Sequence, residues 1–122
     1  MKESLCYLSM DVISEKKTAK ESNSCKATYT LPDGHQISIN APRFLAPEAL
    51  FNPDLIKEGD NVLGLHEMTF AAIQDCDLDF RKDIQANVVL CGGSTLFKGL
   101  SQRLEKEVET MCPGYILSRI HI

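Results

Sequence analysis

Two short runs alternate apolar and polar positions with period two. They are Ala27-Thr28-Tyr29-Thr30-Leu31 and Gln36-Ile37-Ser38-Ile39, separated by Pro32-Asp33-Gly34. Proline presets the φ of a turn and glycine supplies positive φ, so the pattern predicts a β-hairpin. Upstream, residues 4–11 form a short apolar run of ambiguous period, either the end of a helix or an extended segment. Residues 12–26 are polar and rich in Lys, Glu and Ser, which suits a mobile connection or a marginal helix. Downstream, Pro47 suits a first helical position, with Glu48 favourable at the positive end of the helix dipole. Residues 52–64 read as a loop connecting two lobes. From Leu65 an imperfect helical period runs through Met68, Phe70, Ile73 and Gln74 until Asp75-Cys76-Asp77-Leu78-Asp79 interrupts it. Asp79 can cap a short helix over Phe80–Ala86.

The last third carries the strongest pattern. An apolar, β-branched strand at 87–91 ends in Gly92-Gly93-Ser94-Thr95, and an amphipathic helix follows over Leu100–Met111. Leu100, Leu104, Val108 and Met111 lie along one face of that helix, with Arg103, Glu105, Lys106, Glu107 and Glu109 on the other. Pro113-Gly114 ends it, and Tyr115–Ile122 reads as a final strand. The order of hairpin, helices and strand-turn-helix-strand makes the fold class α/β. Strands flanking one helix join through a right-handed crossover in one sheet, which sets the Gly-Gly turn at a strand's carboxyl end. Open α/β sheets bind ligands there. Bare glycine backbone allows close approach to a ligand, and Ser94 and Thr95 can cap the helix or offer hydroxyls to a phosphate or sugar.

Composition narrows the functions. The 122 residues have the length of one ordinary domain, and 43% of them are hydrophobic, enough for a core. A net charge of −4 argues against a nucleic-acid surface, because phosphates would go unneutralised. No apolar run reaches the ~20 residues that span a bilayer, so no membrane partner is expected. Five scattered cysteines with no Cys-x-x-Cys pair suit neither a disulfide framework nor a zinc site, and read as reduced cytosolic thiols. The three histidines make no metal-ligand spacing.

Catalytic chemistry finds little support. Asp75, Asp77 and Asp79 alternate, but they lack the glycine and distal glutamate of a calcium loop, which favours a solvated turn or an acidic partner-contacting edge. Ser94 has no histidine placed as its base and does not sit in a Gly-x-Ser-x-Gly turn. Cys91 belongs to the apolar strand, where an inert core thiol is favoured over a nucleophile. Neither a Walker lysine nor a Gly-x-Gly-x-x-Gly is present.

Longer stretches resemble actin and the actin-related proteins. They are Lys2-Glu3-Ser4-Leu5-Cys6-Tyr7, Tyr29-Thr30-Leu31-Pro32-Asp33-Gly34, Arg43-Phe44 with Pro47-Glu48-Ala49-Leu50-Phe51, and His66-Glu67-Met68-Thr69-Phe70. Further on come Cys76 to Asp83, Asn87 to Thr95 and Arg103 to Glu107. They follow the family's order and near-family spacing over essentially the whole chain. The resemblance implies part of an actin-like, ribonuclease H-like ATPase lobe. Residues 1–58 would belong to one subdomain of the larger lobe and 59–122 to the next. It further implies that Gly93, Ser94, Leu96 and Phe97 lie near the adenosine and phosphates of ATP or ADP, with Gly92 shaping the turn. Lys2 and Glu3 match positions that contact adenine and ribose, where a carboxylate accepts hydrogen bonds from ribose hydroxyls.

Departures from the family shape the rest of the expectation. The phosphate-binding hairpins and the aspartates that organise the metal have no counterpart in this sequence. No residue is therefore assigned to ATP hydrolysis, nucleotide binding is expected to be weak, and magnesium is expected only through the nucleotide. Leu96 and Phe97 stand for the family's usual Met and Tyr, keeping bulk without the phenol. The 52–64 loop is longer than in conventional actin, and its tip Leu55-Ile56-Lys57-Glu58 replaces a mostly apolar plug. The resemblance thus implies a fragment or truncated isoform of an actin-related protein, cytoplasmic and cytoskeletal, with an incomplete ATP cleft. Its partners would be actin or actin-like proteins, and a chaperonin where apolar faces are left uncovered. The alternative expectation is a nucleotide-free interaction module whose contacts are Asp77, Asp79, Arg81, Leu55 and Ile56.

Overall fold

The structure is a computed structural model that describes residues 1–56, 59, 61–111 and the backbone of 120–121. Strands β1 (Ala27–Thr30) and β2 (Gln36–Ile39) pair antiparallel with Ala27 opposite Ile39 and Thr30 opposite Gln36. The connecting turn forms as its sequence requires. Gly34 sits at φ +89°, and Asp33 Oδ1 accepts from the His35 amide at 3.0 Å.

Ahead of the hairpin, the apolar run resolves into both of its alternatives. A single helical turn, α1 (Lys2–Leu5), is followed by extended chain. In that extended chain Tyr7 makes a parallel bridge with Lys98, and the Leu8 amide donates to the Lys98 carbonyl at 2.8 Å. The polar stretch beyond it is helical, α2 (Val12–Glu21), with Asp11 accepting from the Ile13 and Ser14 amides. No α2 residue is buried, so the helix owes its place to polar ties rather than to an apolar face. Its Glu15 carboxylate accepts a 2.5 Å hydrogen bond from the Tyr7 phenol, and its Ala19 carbonyl accepts from Asn40 Nδ2 at 2.9 Å. Burial, the bond to Glu15 and the neighbouring Cys25 push the Tyr7 phenol above the usual tyrosine range, so it stays a neutral donor.

Helix α3 (Pro42–Glu48) begins five residues before the expected start. Pro42, not Pro47, occupies the first helical positions, and Pro47 lies inside the last turn. A proline there cannot donate to the carbonyl four residues back. That carbonyl, on Arg43, accepts instead from the Tyr7 amide at 3.1 Å. The interruption thereby becomes the seat of the extended N-terminal segment.

A 3-10 turn at Pro53–Leu55 opens the expected loop, and Lys57, Glu58 and Asp60 of that loop lie outside the described residues. Helix α4 (Leu65–Gln74) follows, its first turn secured by the Glu67 carboxylate accepting from the Gly64 amide at 2.7 Å. Helix α5 (Leu78–Ala86) starts two residues earlier than expected, so Asp77 rather than Asp79 is the N-terminal flanking residue. The Asp77 side chain makes no cap bond there.

Strand β3 (Val88–Val89) lies parallel to β4 (Ile120–His121), with Val88 opposite Ile120, and helix α6 (Leu100–Met111) falls between them in sequence. This is the expected parallel pairing around a helical connection. Residues 112–119 and 122, which include Pro113-Gly114 and most of the expected last strand, lie outside the described residues.

The core is the α6 stripe. Leu100, Leu104 and Val108 pack with Leu8 and Phe51, and Leu65, Val88, Leu90 and Phe97 flank them. Burying each such aliphatic side chain is worth about 1.5–3 kcal/mol. Residues from both sides of position 58 share this one cluster.

Arg103 corrects the sequence reading, which set it on the solvated face. It is 8% exposed, and its guanidinium spans Glu48 Oε1 and Oε2 at 2.9 Å each. It also donates to the Ser9 carbonyl and to Glu107 Oε1, both at 2.6 Å, and lies 5.1 Å from the centre of the Phe51 ring. Burial works against its charge, but the bonds to Glu48 and then Glu107 outweigh it and hold the guanidinium more firmly protonated than usual.

Candidate functional site

The Gly-Gly turn is built by two positive-φ glycines, Gly92 (φ +101°) and Gly99 (φ +86°), on either side of a 3-10 turn at Gly93–Leu96. Ser94 and Thr95 do not cap α6, which starts at Leu100 beyond that turn. Thr95 is spent within it, its amide and hydroxyl both donating to the Gly92 carbonyl at 3.1 and 2.6 Å. Beyond Leu96 the chain passes through Phe97 and Lys98 to Gly99. A Cβ on Gly99 would stand 2.7 Å from the Leu8 carbonyl oxygen. The close approach of residues 8 and 98–99 thus needs a residue without a side chain. It carries α1 into line with the turn.

Helix α1 and the turn meet across a cleft of about 140 Å³ lined by Glu3, Gly93, Leu96 and Phe97. Lys2 Nζ lies 5.8 Å from the Phe97 ring centre, within reach of a cation–π contact. Lys2, Glu3, Gly93, Leu96 and Phe97 are therefore brought together from segments far apart in sequence. Leu96 is 74% exposed, and among the described residues a Cβ on Gly92 or Gly93 would meet nothing within 4 Å. Among the described residues neither glycine makes room for a neighbour, and Gly92 is required by its positive φ. Ser94 falls on another side. With Thr95, Leu50, Leu65, Val89 and Cys91 it lines a separate cavity of about 310 Å³.

The donor set suits a base and a sugar. An aromatic face under an ammonium can take a planar ring, and the Glu3 carboxylate can accept from hydroxyls. It suits phosphates less well, because the cleft offers one lysine and backbone amides. Among the described residues no group of three or more His, Cys, Asp or Glu could hold a metal ion.

The remaining candidates lie on the outside of the fold. Leu55 and Ile56 are exposed, Ile56 at 78%. Asp77 and Asp79 are exposed and alternate with exposed Leu78 and Phe80, which gives an edge of carboxylates between apolar side chains. Arg81 turns the other way. Its guanidinium donates to the Gln74 carbonyl and Oε1 and to the Cys76 carbonyl at 2.5, 3.0 and 2.8 Å, closing the corner between α4 and α5. Among the described residues no helix is long and apolar enough to cross a membrane.

Residue-by-residue reading missed Arg43 and the pair Arg103–Glu48. The signal for Arg103 was present: Leu100, Arg103, Leu104, Glu107 and Val108 form one helical stripe, and only polarity placed two of them outside it. Arg43 gave no local signal. Its Nε donates to the Leu5 carbonyl at 3.0 Å and its Nη1 to the Cys25 carbonyl at 2.5 Å, both distant in sequence.

Comparison with known proteins places the chain. The family model described as Actin matches residues 1–122. Actin-like protein 7A of Rattus norvegicus is 41% identical over 114 residues, covering 93% of this chain and 25% of the relative. The human protein of the same name is 40% identical over 114 residues, again 93% and 25%. Actin-related protein 2 of Drosophila melanogaster is 45% identical over 112 residues, covering 91% and 27%. The chain thus spans about a quarter of the length of these relatives. On a family match that runs from its first residue to its last, the chain belongs to the actin family.

Proposed function

We propose that residues 1–122 form one wall of an actin-type ATP cleft in an actin-related protein of the cytoplasmic cytoskeleton. The observation that carries this reading is the meeting of α1 with the Gly93–Phe97 turn across one cleft. Lys2 and Phe97 would hold the base between them, Glu3 would take the ribose hydroxyls, and the Gly92–Gly93 backbone would lie against the nucleotide. Ser94 would reach it only from the turn's far side. Bound nucleotide would supply the phosphates and their magnesium; this chain's share is to seat and orient the adenosine, and no hydrolytic step is assigned to it. The same reading divides the chain near residue 58 between two subdomains of a ribonuclease H-like larger lobe. It also expects a chaperonin or an actin-like partner to cover faces such as Ile56 and Leu78.

Calorimetry with ATP and the chain of residues 1–122 tests it. Binding is expected to be weak, with Kd about 1 mM. Glu3→Ala should weaken it about tenfold, the loss of hydrogen bonds to a charged acceptor. Tight, magnesium-dependent binding would refute the incomplete cleft, and equal binding by Glu3→Ala would refute the wall.

A second reading is favoured by the exposed Asp77-Leu78-Asp79-Phe80 edge. It is a nucleotide-free module that contacts actin or an actin-like partner through this edge and through Leu55 and Ile56. Arg81, committed to the α4–α5 corner, would hold the edge in shape. Co-sedimentation with actin filaments should fall when Asp77 and Asp79 are both changed to alanine. Unchanged pelleting removes the edge from consideration.

A further inference from the structure

Helix α2 is held in place differently from α4 and α6. Those two bury apolar side chains, Ile73 on α4 and Leu100, Leu104 and Val108 on α6. Helix α2 buries none. Its half-buried positions are Val12, Glu15 and Ala19, which helical spacing sets on one side. Valine and alanine at the ends of that stripe return little from apolar contact. The position between them is a carboxylate.

The ties of the helix converge on that carboxylate. Glu15 Oε1 accepts from the Tyr7 phenol at 2.5 Å and from the Cys25 thiol at 3.7 Å. Tyr7 is itself fixed. Its amide donates to the Arg43 carbonyl, its ring lies 5.2 Å from the Arg43 guanidinium, and its centre is 6.1 Å from that of Phe44. Among the described residues the other side-chain bond from α2 to the rest of the fold runs from Asn40 Nδ2 to the Ala19 carbonyl. On a further flank α2 does not close on α6. A cavity of about 340 Å³ lies between Val12, Ile13 and Lys16 on one side and Lys106 and Glu107 on the other. The movable partner of the Tyr7–Glu15 bond is therefore α2. A helix of 10 residues does not persist in water by itself, so a detached α2 unfolds locally.

We propose that α2 is a strap that opens as a unit while the core stays folded, with the Tyr7–Glu15 hydrogen bond as its latch and the Cys25 thiol beneath it. With the strap closed, Cys25 is 7% exposed and its thiol faces Glu15. With the strap open, the thiol meets solvent and the Tyr7 phenol loses its charged acceptor. One hydrogen bond thereby sets how often Cys25 can react.

Native-state hydrogen exchange of the chain of residues 1–122, with thiol labelling by an aryl disulfide, tests the strap. The amides of Lys16 to Glu21 should exchange at least about tenfold faster than those of Leu104 to Val108, and with little dependence on urea. Tyr7→Phe keeps the ring against Arg43 and Phe44 and removes only the hydroxyl. It should speed α2 exchange about tenfold, the worth of a hydrogen bond to a charged acceptor, and leave α6 exchange unchanged. Labelling of Cys25, followed by peptide mass, should quicken about tenfold in the same variant, as its thiolate attacks the reagent and releases the aryl thiolate. Asn40→Ala removes the other tie and carries the same expectation should Tyr7→Phe fail to fold. Exchange of α2 and α6 at one common rate in the parent overturns the proposal. So does a latch variant that speeds both helices equally, or one that leaves Cys25 labelling at the parental rate.

Discussion

Arg103→Met is expected to destabilise the chain by about 3–5 kcal/mol, because it leaves the Glu48 carboxylate buried without its partner. Glu48 is 5% exposed and receives two 2.9 Å bonds from Arg103. The Ser9 carbonyl loses its donor in the same step. Methionine keeps much of the aliphatic volume, so the cost is electrostatic rather than that of a cavity. The double variant Arg103→Met/Glu48→Leu removes both charges and should return to within about 1–2 kcal/mol of the parent, as buried pairs replaced by apolar side chains commonly do. Arg103→Lys should fall between, since an ammonium cannot span two carboxylates and a carbonyl with the guanidinium's fork. Urea unfolding followed by circular dichroism reads all three. A double variant as unstable as Arg103→Met would show that the loss came from packing on Phe51 and not from the stranded carboxylate. The network ties α3 and α6 to the chain at Ser9, just past the segment that presents α1 to the glycine turn.

Gly99→Ala is the second large effect, at about 2 kcal/mol or more. Two costs coincide at this residue. Its φ of +86° disfavours any L side chain, and the new Cβ would stand 2.7 Å from the Leu8 carbonyl oxygen. Gly34→Ala isolates the first of these, because Gly34 has φ +89° with nothing among the described residues within 4 Å of its Cβ position. That variant should lose only about 1–2 kcal/mol. Equal midpoints for the two in urea would mean that the close approach of residues 8 and 99 contributes nothing. If it contributes as expected, Gly99→Ala should also release α1, and the ring-current shift that Phe97 imposes on the Lys2 side chain should collapse while Gly34→Ala leaves it intact.

The legible parts of the fold were those whose causes are local. Pro32-Asp33-Gly34 between alternating runs specifies a hairpin because every determinant of that turn lies within a few residues. The same holds for the α6 stripe, where Leu100, Leu104 and Val108 are all buried. The Gly92–Gly93 turn was legible as the break between strand and helix, and Gly92 takes the positive φ there. What was not legible depended on partners far along the chain. The start of α3 was misread because Pro47 is tolerable inside a helix only when the carbonyl it orphans finds another donor, and that donor is the Tyr7 amide. Arg81 is a local exception, since its bonds turn back only as far as Gln74 and Cys76 instead of outward.

The sequence by itself determined the class of this protein, its family, its hairpin and its apolar helix face. Tertiary structure alone decided which charges are inside. Polarity assigns Arg103, Glu48 and Arg43 to water, since a single buried ion costs more than a short segment can return. Only when α3, α6 and the Tyr7–Ser9 segment converge do the carboxylates and carbonyls arrive that make burial tolerable. The same convergence sets Lys2 over Phe97, because that contact depends on where α1 comes to rest, far away in sequence from the turn it faces.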